Sequence, residues 1–171
     1  MEPSLRDQCK AAWTKLVAAD AAAYAAQYEL FSICGDSILE IVRAGLHDPK
    51  ERTTAFRIAD LLKEEQRKAL LPDLISLACE PTYAPTIINA RRAILALPKE
   101  WVLKHMDPSI ERILKSDDDW AYRRLLELCS LLNRDLTLKI AAIAASHEHP
   151  DIKEAGIDFL DNPEAFRNSV T

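Results

Sequence analysis

The chain is poor in glycine and in aromatic side chains: three of its 171 residues are Gly and 6% are aromatic. Loops that cradle nucleotide phosphates need closely spaced glycines, and Gly35, Gly45 and Gly156 form no Gly-x-Gly or Gly-Lys arrangement. Nucleotide-binding loops of those kinds are therefore excluded. Valine is also scarce, with four copies against 25 alanines and 23 leucines. Because alanine and leucine cost least in a helix, whereas strands favour β-branched and aromatic residues, this composition predicts an all-α fold.

Cysteine and long apolar runs are equally sparse. The four cysteines lie 25, 45 and 50 residues apart, a spacing typical of neither a zinc site nor a disulfide framework. The mostly apolar segment 136–145 is too short to span a bilayer and is interrupted by Lys139. The N-terminus lacks the basic and apolar segments of a signal peptide. We expect a cytoplasmic protein with no membrane segment.

One apolar spacing recurs along the chain at intervals of 34, 35, 32 and 30 residues. Apolar residues at i, i+3, i+4 and i+7 form one stripe on an amphipathic helix. The spacing has four strong copies and a fainter N-terminal one: Ala55, Ile58, Ala59, Leu62; Ala90, Ala93, Ile94, Leu97; Tyr122, Leu125, Leu126, Cys129; Ile152, Ala155, Gly156, Phe159; and Ala21, Tyr24, Ala25, Tyr28.

A second helical series precedes the strong stripes, and it covers residues 38–46, 68–79, 101–114 and 136–146. Each helix pair needs a neighbour to bury its stripe, so the pairs are expected to stack as a right-handed α-solenoid. We predict a single domain over residues 1–171. It comprises a degenerate N-terminal pair in residues 1–35 (helices 4–17 and 19–33), four pairs in residues 36–160 and a tail in residues 161–171.

Three segments resemble HEAT repeats. Residues 69–77, Ala-Leu-Leu-Pro-Asp-Leu-Ile-Ser-Leu, resemble the first helix of such a repeat, including its proline. The segments Asp48-Pro49-Lys50-Glu51-Arg52 and Asp119-Trp120-Ala121-Tyr122-Arg123 resemble the Asp-x-x-x-Arg opening of the second helix. The other two second helices carry Ala90 and Ala155 in place of that arginine. The resemblance covers about residues 38–160 and implies an armadillo-like superhelix whose second helices line a concave binding face.

An arginine series follows the same repeat. Arg57, Arg92 and Arg124 stand two positions after the first residue of their stripes, roughly 150° from the stripe centre, so they should point away from the core. Stacked repeats would align them in a row, which the HEAT resemblance places on the concave face. The equivalent positions in the first and last pairs are Ala23 and Glu154, which confines the positive strip to the middle of the chain.

Further candidate binding residues lie beside the row. Arg91 and Arg123 add charge to it, Trp120 and Tyr122 are expected to add aromatic surface, and Glu127 is a further candidate binding residue. An equally weighted alternative is that these arginines only form local ion pairs, Arg123 with Glu127 and Arg57 with Asp60.

The sequence contains no clear catalytic or metal-binding constellation. His147 and His149 lie in a loop without a His-Glu-x-x-His spacing, and Cys129 occupies a core position where burial would leave it inert. We predict no cofactor, no bound metal and no enzymatic activity, although the sequence leaves metal binding by the two histidines open.

Three function classes remain. The favoured one is a protein-binding module, an adaptor or a neutralising immunity-type protein whose partner carries an acidic patch. The chain also resembles HEAT-like alkylpurine DNA glycosylases, for which Trp120, Asp119, Arg123 and Arg124 would be candidates. Its net charge of −5 disfavours nucleic-acid binding. The third class is a structural subunit that dimerises through its N-terminal helices.

The binding hypothesis makes one prediction about substitutions. Replacing Arg92 and Arg124 together by Glu should abolish partner binding and leave the melting temperature nearly unchanged.

Overall fold

The computed structural model describes residues 4–80 and 83–162, and the regular structure in these ranges is entirely helical. The all-α prediction is confirmed. The helices are α1 (Leu5–Cys34), α2 (Ile38–His47), α3 (Arg52–Ala59), α4 (Glu64–Ala69), α5 (Leu71–Ala78), α6 (Ala84–Leu95), α7 (Lys99–His105), α8 (Asp107–Leu114), α9 (Asp119–Leu132), α10 (Arg134–Ala145) and α11 (Pro150–Asp161), with a 3-10 turn at Gly35–Ser37. None of the helices in these ranges is long and apolar enough to cross a membrane.

The N-terminal segment forms one helix of 30 residues, so the predicted helix pair in residues 1–35 is wrong. No proline or glycine occurs between Ser4 and Gly35, so nothing in the sequence breaks the helix. Ser4 begins it by accepting a hydrogen bond from the Asp7 amide at 3.3 Å, and Gly35, at φ 50°, ends it. The chain divides into two compact units between Ile41 and Val42.

The four strong stripes of the second unit are confirmed as its core. Their residues are buried in α3, α6, α9 and α11, including Leu62 and Leu97, which lie just beyond their helices. Ala93 is half-buried. The fainter N-terminal copy is wrong, because Tyr24 and Tyr28 in α1 are 74% and 80% exposed.

Two of the predicted first helices are interrupted. Residues 68–79 lie in α4 and α5, which meet at Leu70, and residues 101–114 lie in α7 and α8, which meet at Met106. Pro72 and Pro108 stand at the starts of the later helices. Proline supplies no amide hydrogen and clashes with the preceding turn, so it begins a new helix instead of continuing the old one.

Contacts within the second unit follow the order of the helices. α5 packs on α6, and α10 packs on both α9 and α11. The second helices also touch each other, α3 against α6 and α9 against α11. α10 lies close against α11 at Gly156, where a Cβ atom would overlap the backbone of Ala141, Ala144 and Ala145. Glycine is therefore required at this crossing.

Candidate functional site

Most of the predicted arginines form ion pairs that join one second helix to another. Arg92 of α6 lies 3.0 Å from Asp60, the residue that follows α3. Arg123 of α9 lies 3.2 Å from Asp158 of α11. The predicted local pairs, Arg123 with Glu127 and Arg57 with Asp60, are therefore wrong. Asp60 pairs instead with Arg92 of α6, and Glu127 pairs with Arg91 of α6 and, locally, with Arg124 of its own helix.

Glu127 lies at the centre of the strongest of these connections. Arg91 Nη2 in α6 donates to Glu127 Oε2 at 2.7 Å and to the Arg124 carbonyl at 3.1 Å, which ties α6 to α9. Arg124 Nη1 donates to the same carboxylate at 2.8 Å. Arg91 and Glu127 are both buried, with 3% and 9% of their surface exposed. A desolvated carboxylate between two guanidinium groups is electrostatically compensated and holds both side chains in fixed positions.

The burial of Arg91 corrects its predicted role. An arginine with 3% of its surface exposed cannot contact a partner directly, so Arg91 supports the face from behind. It follows the core residue Ala90 in α6 and lies at the edge of the apolar stripe, where Glu127 neutralises it. Glu127 is likewise a supporting residue instead of a contact residue.

Tyr122 is also buried, so the expectation that it adds exposed aromatic surface is wrong. It is the first residue of its stripe and faces the core. Its hydroxyl donates to the Leu114 carbonyl at 2.6 Å, and its ring meets His147 edge-on with centroids 5.4 Å apart. Burial, reinforced by the Asp117 carboxylate, raises the pKa of the Tyr122 hydroxyl.

The arginine of each Asp-x-x-x-Arg segment bridges to the following helix pair. Arg52 Nε donates to the Leu46 carbonyl at 2.8 Å, and its Nη1 donates to Glu80 at 3.1 Å. Arg123, its counterpart in α9, reaches Asp158 in α11. Both arginines thus connect elements about 30 residues apart, which is the length of one predicted repeat.

Several apolar and cationic side chains on the second helices, or just beyond them, remain exposed or half-buried. Trp120 is 51% exposed, and the Arg124 guanidinium lies 5.8 Å from the centre of its ring, in cation–π geometry. Ile88, Arg92 and Leu95 share one exposed face of α6 at spacing i, i+4, i+7. We name the following set, in which all members are exposed except the half-buried Arg124, the second-helix face: Arg57, Leu61, Ile88, Arg92, Leu95, Trp120 and Arg124.

Three residues of this face were missed by sequence reasoning. Leu61, Ile88 and Leu95 are 54%, 53% and 46% exposed. The sequence contained a signal for Ile88. It stands two positions before Ala90, the first residue of its stripe, just as Trp120 stands two positions before Tyr122. Leu95 follows Arg92 by three positions on the same side of α6. Apolar residues that flank an outward arginine at helical spacing were the available sign of an exposed apolar surface.

The buried cysteines are poor nucleophiles. Burial raises the pKa of the Cys79 thiol from 9.0 to about 12 and also raises the pKa of Cys129. Both thiols are therefore protonated near neutral pH, and the attacking thiolate is not available.

The histidine loop has a local role. His147 Nδ1 accepts a hydrogen bond from the His149 amide at 3.0 Å, and His147 Nε2 lies 3.8 Å from Asp117 Oδ1. Within residues 4–80 and 83–162, no group of three or more His, Cys, Asp and Glu side chains is placed to hold a metal ion.

No family model, curated protein or solved structure matches this chain.

Proposed function

We propose that the chain is a non-enzymatic protein-binding module of stacked HEAT-like helix pairs that binds its partner through the second-helix face. In a right-handed solenoid this face would be the concave one. The favoured role is that of a cytoplasmic adaptor or a neutralising, immunity-type protein. The partner would offer carboxylates to Arg57, Arg92 and Arg124 and an apolar pocket to Trp120.

The observation that carries the proposal is the preformed geometry around Trp120. Arg124 lies over its indole ring at 5.8 Å, Glu127 holds Arg124 at 2.8 Å, and the buried Arg91 holds Glu127 at 2.7 Å. Tryptophan and arginine are among the residue types most enriched in the hot spots that dominate binding energy at protein interfaces. Because the arginine is already held in place, binding would cost less side-chain entropy.

The paired charges favour a protein partner over nucleic acid. Arg91, Arg92, Arg123 and Arg124 are each within salt-bridge distance of Asp60, Glu127 or Asp158. Nucleic-acid binding draws much of its affinity from many phosphate contacts, and a phosphate backbone would have to approach a chain of net charge −5. Binding to a protein surface requires fewer free cations, and it also uses the apolar residues of the second-helix face.

Comparative affinity capture from the native host tests the proposal. The bait proteins are the unmodified chain, Trp120→Ala, Arg92→Glu and the control Ile143→Ala, which truncates an apolar residue 41% exposed on α10. We expect one protein to be recovered by the unmodified chain and by the control, and to be lost with both face variants. Circular dichroism should show the same helicity for all four baits.

Two results would contradict this function. Equal recovery of the same partner by all four baits would place its binding site elsewhere on the chain. Salt-sensitive binding of duplex or single-stranded DNA, measured by fluorescence anisotropy at low salt and lost with Trp120→Ala, would favour the glycosylase-like alternative instead.

A further inference from the structure

Helix α1 carries a line of exposed, mostly aromatic side chains. Trp13, Val17, Tyr24 and Tyr28 are 67%, 51%, 74% and 80% exposed, and α1 buries none of its 30 residues. At about 100° per residue, these four side chains fall within an arc of about 60° around the helix. We name them the α1 stripe. Several large apolar side chains exposed on one side of a helix indicate an interface.

The α1 stripe is symmetric along the chain. Its successive members are 4, 7 and 4 residues apart, so the pattern reads the same from either end. If a second α1 lies antiparallel to the first, with the two-fold axis level with the bond between Asp20 and Ala21, Trp13 faces the second copy's Tyr28. Val17 then faces the second copy's Tyr24. Such self-complementarity is what a two-fold symmetric interface requires.

The residues beyond the stripe obey the same symmetry. Arg6 is level with the second copy's Gly35, and the next residue, Asp36, places a carboxylate one position further along; both charged side chains are exposed, so opposite charges lie near each other at each end of the pair. Lys10 lies opposite the second copy's Phe31, a cation facing an aromatic ring. Both relations occur twice, once at each end.

The centre of the pattern permits close approach of the helices. The two-fold axis is level with the midpoint between Asp20 and Ala21. Their side chains point about 50° to either side of the direction in which the α1 stripe faces the second copy. No side chain of α1 therefore points straight across at the axis. Ala21 adds little bulk on one side, and the exposed Asp20 of each copy lies on the other side, where its carboxylate can extend into solvent. The aromatic rings lie to either side of this gap and can pack across the pair.

We propose that two copies of this chain form an antiparallel homodimer through the α1 stripe. Trp13 and Tyr28 pack at the outer positions and Val17 and Tyr24 at the inner ones. The interface lies on a different compact unit from the second-helix face, so the dimer does not depend on the proposed function.

A charge exchange between facing positions tests the dimer and its direction together. In the antiparallel pair, residue 17 of one copy meets residue 24 of the other. We expect Val17→Glu and Tyr24→Lys, each alone, to raise the dimer dissociation constant at least about 30-fold, because each change is repeated by symmetry. Sedimentation velocity of the full chain over a concentration series measures this constant.

Mixing the two variants gives the sharper readout. A Val17→Glu chain paired with a Tyr24→Lys chain keeps one native Val17–Tyr24 contact and gains one Glu–Lys contact, so a heterodimer should form where each variant alone is monomeric. A parallel pair would not bring these two positions together. The control is Ile33→Glu, an apolar residue 74% exposed on the opposite side of α1, which should leave the dimer intact.

Four results would overturn the proposal. The first is an unmodified chain that stays monomeric up to about 1 mM. The others are a dimer that persists in both single variants, loss of the dimer in Ile33→Glu, and absence of a heterodimer in the mixture. Circular dichroism confirms that each variant keeps its helicity.

Discussion

Glu127 is the single carboxylate on which the geometry of the second-helix face most depends. It binds the buried Arg91 at 2.7 Å and Arg124 at 2.8 Å. We predict that Glu127→Ala lowers the free energy of unfolding by about 3–5 kcal/mol, because it leaves the charge of Arg91 buried and uncompensated. Urea denaturation followed by circular dichroism measures the change.

Two further variants separate this effect from simple loss of packing. The double variant Arg91→Met and Glu127→Leu should recover most of the stability, since it replaces a buried pair by apolar groups of similar size. Asp60→Ala removes an ion pair whose side chains are 62% and 46% exposed and should cost less than about 1 kcal/mol. Equal losses for Glu127→Ala and Asp60→Ala would show that burial does not strengthen the Glu127 connection.

The same contacts revise the substitution test that the sequence suggested. Arg92→Glu changes an exposed side chain and remains a clean probe of binding. Arg124→Glu would set a second carboxylate beside Glu127 and is expected to lower stability as well as binding. Replacing Arg92 and Arg124 together by Glu is therefore expected to lower the melting temperature, because of the change at Arg124.

The buried thiols make stability fall at alkaline pH. The pKa of Cys79 rises from 9.0 when unfolded to about 12 in the folded chain, and burial raises the pKa of Cys129 in the same direction. The folded state therefore holds protons that the unfolded state releases. The stability that these thiols contribute is complete below about pH 9 and is lost as the pH rises toward 12, by up to about 1.4 kcal/mol per pH unit for each thiol.

The unfolding free energy should be measured from pH 8 to 11 for the unmodified chain and for the double variant Cys79→Ala, Cys129→Ala. This range extends from about one pH unit below to about two units above the pKa of an ordinary thiol. We expect a shallower decline in the double variant. The same slope in both proteins would show that the two thiols do not contribute to the alkaline loss.

The crossing of α10 and α11 depends on one glycine. In an ordinary helix interior, Gly→Ala stabilises by about 0.5–1 kcal/mol. At Gly156 a Cβ atom would overlap the backbone of α10, so we predict the opposite sign, a loss of about 2 kcal/mol or more in Gly156→Ala. Thermal or urea denaturation decides between the two. The control is Ile157→Ala, which truncates a neighbouring side chain 43% exposed and should change stability little.

The stripes of α3, α6, α9 and α11 could be predicted from sequence because leucine, isoleucine and aromatic residues alternate there with charged ones at helical spacing. The N-terminal copy failed for the opposite reason. Alanine fits every face of a helix, so Ala21 and Ala25 could not tell which side is covered, and the Tyr24 and Tyr28 side chains are exposed. A periodic pattern reports that a face is apolar, not that a neighbour within the same chain covers it.

Connections between distant helices were beyond the reach of the sequence. The outward direction of Arg92 and Trp120 follows from helix geometry alone. The pairing of Arg91 with Glu127 joins residues 36 positions apart and requires the packing of α6 against α9 to be known. The sequence gives one indication of this pairing: Arg91 directly follows the core residue Ala90, where an unpaired charge would be costly.

At the scale of the whole chain, arginine–carboxylate pairs connect the helices in sequence order. Arg52 reaches Glu80, Arg92 reaches back to Asp60, and Arg91 and Arg123 reach forward to Glu127 and Asp158. Such pairs between neighbours are consistent with the stacking of repeats that the proposed function assumes. They leave Trp120 and the exposed apolar residues of α6 as the surface that a partner would cover.

Isothermal titration calorimetry with the partner recovered by affinity capture tests this account most directly. We predict that Trp120→Ala raises the dissociation constant at least about 30-fold, the change expected when an interface hot spot is truncated. Ile143→Ala should leave it unchanged. An unaltered dissociation constant in Trp120→Ala, with the chain fully folded, would contradict binding through the second-helix face.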